Sequence, residues 1–298
     1  MIPGIETRFI SANGQEFEVW TAGDPASDRL ALLLHGFPEH AYSWRHQIHF
    51  LAKRGYRVWA PNQRGYGNSS RPRGRAHYAI DELVADVAGL ADAAGARDVT
   101  LMGHDWGGLV AWEFAARRAR PLERLVILNV PHPERFREEL RTNRAQRRRS
   151  LYALLFQLPV LPEWFFRRRD AAAIAEAFRG MAIDKSRFPE EVLRVYRDHA
   201  QQPGALTAML NWYRANGPRF RRLGAEGDAP YPLIETPTLL IWGEADTALG
   251  KETTSGTERF VKTLDIHYLP EVSHWVQQEA PERVNEILAA WLPAADAP

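Results

Sequence analysis

Six consecutive residues, Gly103-His104-Asp105-Trp106-Gly107-Gly108, restrict the fold of this chain more than any other stretch. An apolar run at residues 99–102 precedes them and another at 109–116 follows, so the pattern predicts a strand, a tight turn and a helix. Three glycines in the turn permit a sharp bend and a close approach of the helix to the strand. We therefore expect Asp105 to stand at the end of a sheet, with capping of the helix N-terminus as an alternative role.

Strands and helices alternate along most of the chain. Apolar runs typical of buried strands occur at residues 30–34, 57–60, 99–102, 125–128, 237–242 and 266–269. A hairpin is predicted around Asn13-Gly14, and helical periodicity falls at residues 44–54, 80–94 and 282–291. This order predicts an α/β fold, in which a mostly parallel central sheet carries helices on both faces.

The alternation stops between residues 131 and 230, where only helical segments rich in arginine and aromatic residues are predicted. This span has 19 basic and 12 acidic side chains, a net formal charge of +7, although the whole chain carries only +1. We predict a core formed by residues 1–130 and 231–298, with a helical cap inserted at 131–230. Because Glu138 and Glu139 adjoin it, a basic cluster in this span is interpreted as a solvated helix face: Arg141, Arg144, Arg147, Arg148 and Arg149.

The composition excludes several classes of protein. The 298 residues include no cysteine, which excludes disulfides and thiolate chemistry. The near-zero net charge predicts no nucleic-acid partner and no membrane partner. No apolar run is long enough to cross a bilayer. The first ten residues do not resemble a signal peptide. We expect a cytoplasmic monomer or homodimer. No histidine spacing predicts a metal site, and no cofactor is expected.

Two later loops supply candidate partners for Asp105. Asp246 and His274 each follow a predicted strand within five residues. Because parallel strands point in one direction, both loops are expected at the sheet end that carries Asp105, and the order nucleophile, acid, histidine is that of a hydrolase triad. Asp105 would be the nucleophile, and His274 the base that Asp246 orients. Glu244 is a second candidate for the acid, since the other loop that could supply one carries Asn129.

An earlier turn, His35-Gly36-Phe37-Pro38, follows the first predicted buried strand. It would bring the backbone N–H of Phe37 toward Asp105, where it could form an oxyanion hole together with the N–H of Trp106. An ordinary Gly-Pro turn is the alternative. His35 and His104 flank the two turns and are interpreted as residues that shape loops by hydrogen bonding.

These motifs, with Glu39 after the first turn and Trp275 after His274, resemble the soluble epoxide hydrolases of the α/β-hydrolase superfamily over nearly the whole chain. The resemblance implies two cap tyrosines that hold and protonate an epoxide oxygen, and Tyr152 and Tyr213 match those motifs. Packing within the cap is the alternative for either tyrosine. The partners would be a small-molecule epoxide and water, and six residues are expected to bind the substrate: His35, Pro38, Trp106, Phe156, Trp212 and Trp275.

An aspartate nucleophile narrows the chemistry. Its attack on a saturated carbon gives an alkyl ester that water can hydrolyse, whereas attack on a carboxylic ester would give an anhydride. Epoxides and alkyl halides both fit, but only the epoxide oxygen needs a proton, for which a phenol with a pKa of about 10 is a suitable donor. The sequence therefore predicts an epoxide hydrolase, with a haloalkane dehalogenase as the alternative and a non-catalytic hydrolase-fold receptor as a minor one.

Overall fold

The protein is described by a computed structural model over residues 2–222 and 231–294. Eight strands form one sheet in the order β1-β2-β4-β3-β5-β6-β7-β8. Their bounds are β1 Glu6–Ala12, β2 Gln15–Ala22, β3 Arg29–Leu34, β4 Arg57–Pro61, β5 Asp98–His104, β6 Arg124–Leu128, β7 Thr238–Gly243 and β8 Leu264–Leu269. β2 pairs antiparallel with β1 and β4, and the other pairs are parallel. The predicted α/β fold with a mostly parallel sheet is confirmed.

Helices cover both faces of the sheet, as the apolar runs predicted. Leu30, Leu32 and Leu34 of β3 belong to one apolar cluster, whereas Ala31 and Leu33 belong to another, because successive side chains of a strand point to opposite faces. The first cluster includes residues of α2 Ile80–Ala94, of α3 Trp106–Ala116 and of the helical insert; the second includes residues of α1 Arg45–Lys53, α10 Val276–Glu279 and α11 Pro281–Trp291.

A helical insert lies between β6 and β7, and we call it the cap. It comprises α4 Pro133–Thr142, α5 Arg144–Arg149, α6 Tyr152–Leu155, α7 Leu161–Met181, α8 Glu190–Gln201 and α9 Ala205–Arg222, with α7 interrupted by non-helical backbone at residues 168–171. Its predicted carboxyl-terminal boundary at residue 230 lies outside the described residues. Among the described helices, none is long and apolar enough to span a membrane.

Buried hydrogen bonds fix the cap on the core. The Asn216 side chain of α9 accepts from the Ile80 N–H at the start of α2, at 2.8 Å. The Trp212 indole N–H donates to the Arg64 carbonyl oxygen at 3.1 Å, and both Trp212 and Arg64 are fully buried. Because buried polar groups are costly to leave unpaired, these contacts define the position of α9 over the sheet end.

One buried histidine makes stability depend on pH. His132 accepts from the Glu134 N–H at the start of α4, and its ring stacks on Phe260 at 4.6 Å. Burial, with a smaller contribution from the charge of Arg259, lowers the pKa of His132 to about 3. The ordinary pKa of histidine is 6.5, so between pH 6.5 and about pH 3 His132 is protonated in the unfolded chain but not in the folded protein. The contribution of His132 to stability is therefore present above pH 6.5 and falls as the pH falls.

We expect His132→Asn to weaken this pH dependence. At pH 5 the wild-type histidine costs about 2 kcal/mol of folding free energy relative to neutral pH, since each unit of pKa difference corresponds to about 1.4 kcal/mol. Asparagine keeps a capping acceptor but cannot titrate. Urea unfolding at pH 7.5 and pH 5 should therefore show a smaller loss of stability in the variant. Equal losses in both proteins would contradict this assignment.

Candidate active site

The tight turn between β5 and α3 places Asp105 in a conformation that few residues adopt. Its backbone has φ 48° and ψ −121°, outside the common allowed regions. A Cβ at Gly36 would lie 2.4 Å from the Asp105 Cβ, and one at Gly107 would lie 2.3 Å from the Leu34 carbonyl oxygen, so both positions need glycine. Asp105 precedes α3 but makes no side-chain capping hydrogen bond to it. Its carboxylate is left available for other partners.

Those partners come from two other loops. The Phe37 N–H donates to Asp105 Oδ1 at 2.8 Å, and His274 Nε2 lies 3.7 Å from Asp105 Oδ2. Burial favours a higher pKa for the carboxyl group, but the His274 ring, the His104 ring and the Phe37 amide lower the pKa of Asp105 below its usual value. Asp105 is therefore a carboxylate at neutral pH.

Asp246 holds the other side of the His274 ring. Its Oδ2 lies 2.7 Å from His274 Nδ1, while its Oδ1 accepts from the backbone N–H groups of Ala248 and Leu249 at 2.8 and 2.9 Å. Glu244, the second candidate acid, instead pairs with Lys251 at the surface. Of the two acids, Asp246 is the one placed beside the histidine.

Two carboxylates thus flank one imidazole. Burial lowers the pKa of His274, but the charges of Asp246 and Asp105 and their hydrogen bonds outweigh this and raise its pKa to about 10. The ring is consequently an imidazolium at neutral pH in the resting protein. It can become a base only when one of the neighbouring negative charges is removed.

Asn129 has a role that sequence reasoning missed. Its side chain donates to Asp246 Oδ2 at 2.9 Å and accepts from the Gly243 N–H at 2.8 Å, which joins the loops after β6 and β7. Its φ of 41° is one that asparagine tolerates better than most residues. The signal in the sequence was an amide side chain, with both donor and acceptor atoms, where a strand ends.

A second pair of a carboxylate and a histidine, Glu39 and His104, contacts the backbone of His274. His104 Nδ1 is 2.7 Å from Glu39 Oε2, and His104 Nε2 is 2.9 Å from the His274 carbonyl oxygen. Burial favours a higher pKa for Glu39, but His104 lowers the pKa of this carboxyl group below its usual value. Glu39 also accepts from the side chains of Gln277 and Gln278. The predicted loop-shaping role of His104 agrees with these contacts, whereas the part played by Glu39 was not foreseen.

The two cap tyrosines lie beside each other. Tyr152 begins α6 and Tyr213 lies in α9, with ring centroids 6.1 Å apart; the Tyr213 ring also packs 4.9 Å from Trp106. The Tyr152 side chain is partly exposed, but desolvation of its hydroxyl group by the surrounding protein, followed by repulsion from the Asp105 carboxylate, raises the pKa of Tyr152. Burial with the nearby Tyr152 and Asp105 raises the pKa of Tyr213. Both phenols therefore keep their protons at neutral pH.

A cavity of about 570 Å³ lies beside the Asp105 carboxylate and the two cap tyrosines. Asp105, Tyr152 and Tyr213 all line it, and most of the remaining wall is apolar. The other lining residues are Trp106, Leu109, Val130, Pro131, Pro133, Phe136, Leu140, Arg147, Ser150, Leu151, Ala153, Leu154, Gln157, Gly217 and Leu249. Such a cavity suits a small, largely apolar molecule whose polar group meets the carboxylate and the phenols.

Of the six residues expected to bind substrate, Trp106 lines this cavity and the other five do not. Phe156 is buried between the Phe37 and Tyr213 rings, Trp212 is fully buried beneath α9, and Trp275 packs on Phe178 with ring centroids 4.3 Å apart. His35 is buried and accepts from the Gln63 N–H at 3.1 Å, and Pro38 follows Phe37 through a cis peptide bond. No cluster in the described residues could hold a metal ion.

Comparison with known proteins agrees with this geometry. The model of the α/β hydrolase fold family matches residues 32–281. AB hydrolase superfamily protein YfhM of Bacillus subtilis is 38% identical over 290 residues, covering 97% of this chain and 98% of the relative. Epoxide hydrolase A of Mycobacterium tuberculosis is 34% identical over 324 residues, covering 96% of each chain. A crystal structure of Bacillus megaterium epoxide hydrolase with an inhibitor matches with a TM-score of 0.86 and 30% identity, over 95% of this chain and 99% of that one.

The sheet, the turn at Asp105 and these matches define the class: this chain belongs to the α/β-hydrolase fold family. Within that family its similarity extends over nearly its full length to epoxide hydrolases, so it is an epoxide hydrolase-like α/β hydrolase. The predicted family resemblance is thereby confirmed.

Proposed function

We propose that this protein opens epoxides to vicinal diols through a covalent ester on Asp105. The observation that supports this most directly is the lining of one cavity by a carboxylate and by two phenols that keep their protons. A nucleophile and proton donors facing the same space are what ring opening of an epoxide requires.

In the first step, Asp105 attacks a ring carbon and the carbon–oxygen bond breaks. Tyr152 and Tyr213 hydrogen-bond to the departing oxygen, and one of them gives it a proton. An alkoxide is far more basic than a phenolate, so the transfer is favourable even though the pKa of each tyrosine is raised. The product is a glycol monoester of Asp105.

Ester formation also activates the base for the second step. The Asp105 carboxylate loses its negative charge, which removes one of the two anions that raise the pKa of His274. The proton that His274 then releases replaces the one that the tyrosine gave up. The neutral ring, held by Asp246, can now deprotonate a water molecule that attacks the ester carbonyl.

The charge that develops on the ester carbonyl oxygen needs donors. The Phe37 N–H, which lies 2.8 Å from Asp105 Oδ1, and the N–H of Trp106 would stabilise it. Collapse of this intermediate releases the diol and restores the Asp105 carboxylate and the His274 imidazolium. Every proton is accounted for, and the chemistry calls for no cofactor.

A single turnover in water enriched with the heavy oxygen isotope tests this route. With enzyme in excess over styrene oxide, the label is expected first in the Asp105 carboxylate, because water attacks the ester carbonyl and not the epoxide carbon. Mass spectrometry of the peptide that contains Asp105 measures this. Label that enters the diol alone in the first turnover would rule out the ester.

A further inference from the structure

Exposed apolar side chains are concentrated in one part of the cap. Nine of the twelve exposed large apolar residues among those described lie between positions 151 and 165, namely Tyr152 at 36% and eight that are more exposed. We call these eight the apolar patch: Leu151, Leu154, Leu155, Leu158, Val160, Leu161, Trp164 and Phe165, with exposed fractions from 42% to 74%. Contiguous apolar surface of this kind marks an interaction site, since scattered exposed residues would need no explanation.

The patch is built on a well-anchored segment. Arg214 of α9 donates to the carbonyl oxygens of Phe156 and Leu158 at 2.9 and 2.7 Å, and pairs with Glu163 at 2.7 Å. On the inner side, the Phe156 and Phe166 rings pack 5.5 Å apart. The segment therefore has its own small core, and the outward direction of the apolar patch is part of the fold.

Unpaired arginines border the patch on both sides. Six exposed arginines beside the patch lack a carboxylate partner in the part of the chain that the structure describes: Arg144, Arg147 and Arg148 before it, and Arg167, Arg168 and Arg169 after it. Most surface arginines elsewhere are paired, such as Arg120 with Asp92 at 2.6 Å and Arg187 with Glu282 at 3.0 Å, whereas Arg73, Arg75 and Arg283 also lack a carboxylate partner among the described residues. The apolar patch thus lies in a region of local positive charge, although the net charge of the whole chain is only +1.

We propose that this face binds the surface of a bilayer that contains anionic phospholipids. The apolar side chains would enter the boundary between headgroups and acyl chains, with the arginines on lipid phosphates. Trp164 suits this depth, and its ring already carries the Arg168 guanidinium 4.3 Å from the ring centroid. Docking a second copy on the same face would instead bring two sets of unpaired arginines together.

The proposed docking differs from the expectation that there is no membrane partner. That expectation considered net charge and membrane spans, and surface binding depends on neither, because it needs only a local apolar and cationic patch. Leu151 and Leu154 belong both to the apolar patch and to the wall of the cavity. The cavity wall therefore continues into the docked face, so that, resting on the proposed function, lipophilic epoxides dissolved in the bilayer would reach Asp105 directly.

Flotation of the full chain with vesicles tests the docking. We expect binding to vesicles of phosphatidylcholine with phosphatidylglycerol, weaker binding to phosphatidylcholine alone, and a loss of binding as salt screens the arginines. Replacing two patch residues that do not line the cavity, Leu155→Ser with Trp164→Ser, should lower the partition coefficient at least about tenfold, as should Arg148→Gln with Arg168→Gln. Phe9→Ser, at a residue 52% exposed on β1, is the matched control and should bind like the wild type.

Two results would overturn the docking. One is the absence of binding to both kinds of vesicle. The other is self-association in sedimentation equilibrium that the double serine variant abolishes, which would assign the patch to a second copy. Hydrolysis of a water-soluble epoxide is measured in the same proteins and should be unchanged by the patch variants. A chain that binds vesicles but hydrolyses no epoxide would contradict the proposed function and would still support the docking.

Discussion

His274→Gln is expected to stop the enzyme at the ester, with turnover reduced by about 10³-fold or more. Glutamine can still occupy the space beside Asp246, but it cannot take a proton from water. Attack by Asp105 does not need that proton transfer, so the first step should continue. Intact-protein mass spectrometry after mixing with styrene oxide should therefore show one added substrate mass, located on the peptide that carries Asp105.

Two control variants make this result specific. Asp105→Ala removes the nucleophile and should take up no mass, alone or combined with His274→Gln. His77→Gln changes an exposed histidine whose side chain lies outside the cavity and should leave turnover and mass unchanged. Turnover at the wild-type rate in His274→Gln would contradict the assignment of the base.

Removing both cap hydroxyls is expected to have a similarly large effect on a different step. Tyr152→Phe with Tyr213→Phe should reduce epoxide opening by about 10³-fold or more, because the departing oxygen would leave as an unprotonated alkoxide in a mostly apolar cavity. Each single variant should lose less, since the remaining phenol can still donate. Rapid-quench measurement of ester formation in single turnovers isolates this step from hydrolysis.

Tyr56→Phe is the matched control for the tyrosine pair. Its hydroxyl group accepts from Arg29 at 2.8 Å outside the cavity, so its loss should not change ester formation. If the double variant kept its epoxide rate, the two tyrosines would not be the proton donors. If the wild type released halide from haloalkanes but formed no diol from epoxides, the haloalkane dehalogenase alternative would replace the epoxide assignment. Measurable diol formation by the wild type would in turn exclude a non-catalytic receptor.

Much of the candidate site follows from order and spacing along the chain. Parallel strands end at the same edge of a sheet, so a residue a few positions after each strand is placed there whatever the details of the packing. This is why Asp105, Asp246 and His274 could be brought together before any coordinates. The glycines around Asp105 predicted the sharp turn, and the structure shows why they are needed: a Cβ at Gly103 or Gly107 would collide with backbone atoms, and one at Gly108 with the Val130 side chain.

The substrate-binding predictions show that order and spacing along the chain do not predict which side chains line the cavity. Phe156, Trp212 and Trp275 were predicted to bind the substrate, but they are buried and are not among the residues that line the described cavity. Leu140 and Leu249, which carry no distinguishing pattern, form part of its wall. The direction of a side chain in the cap depends on how the helices rest on the sheet, and that is decided by contacts between residues far apart in sequence.

The sequence by itself determined the α/β fold and the helical insert, and it predicted that Asp105, Asp246 and His274 meet at one sheet end, since hydrophobic period, glycine spacing and strand direction are local or one-dimensional properties. Only the tertiary structure decided the partners of Glu39 and Asn129, the walls of the cavity and the exposure of the apolar patch. Each of these depends on which surfaces remain uncovered once distant segments have packed, and no spacing along the chain encodes that directly.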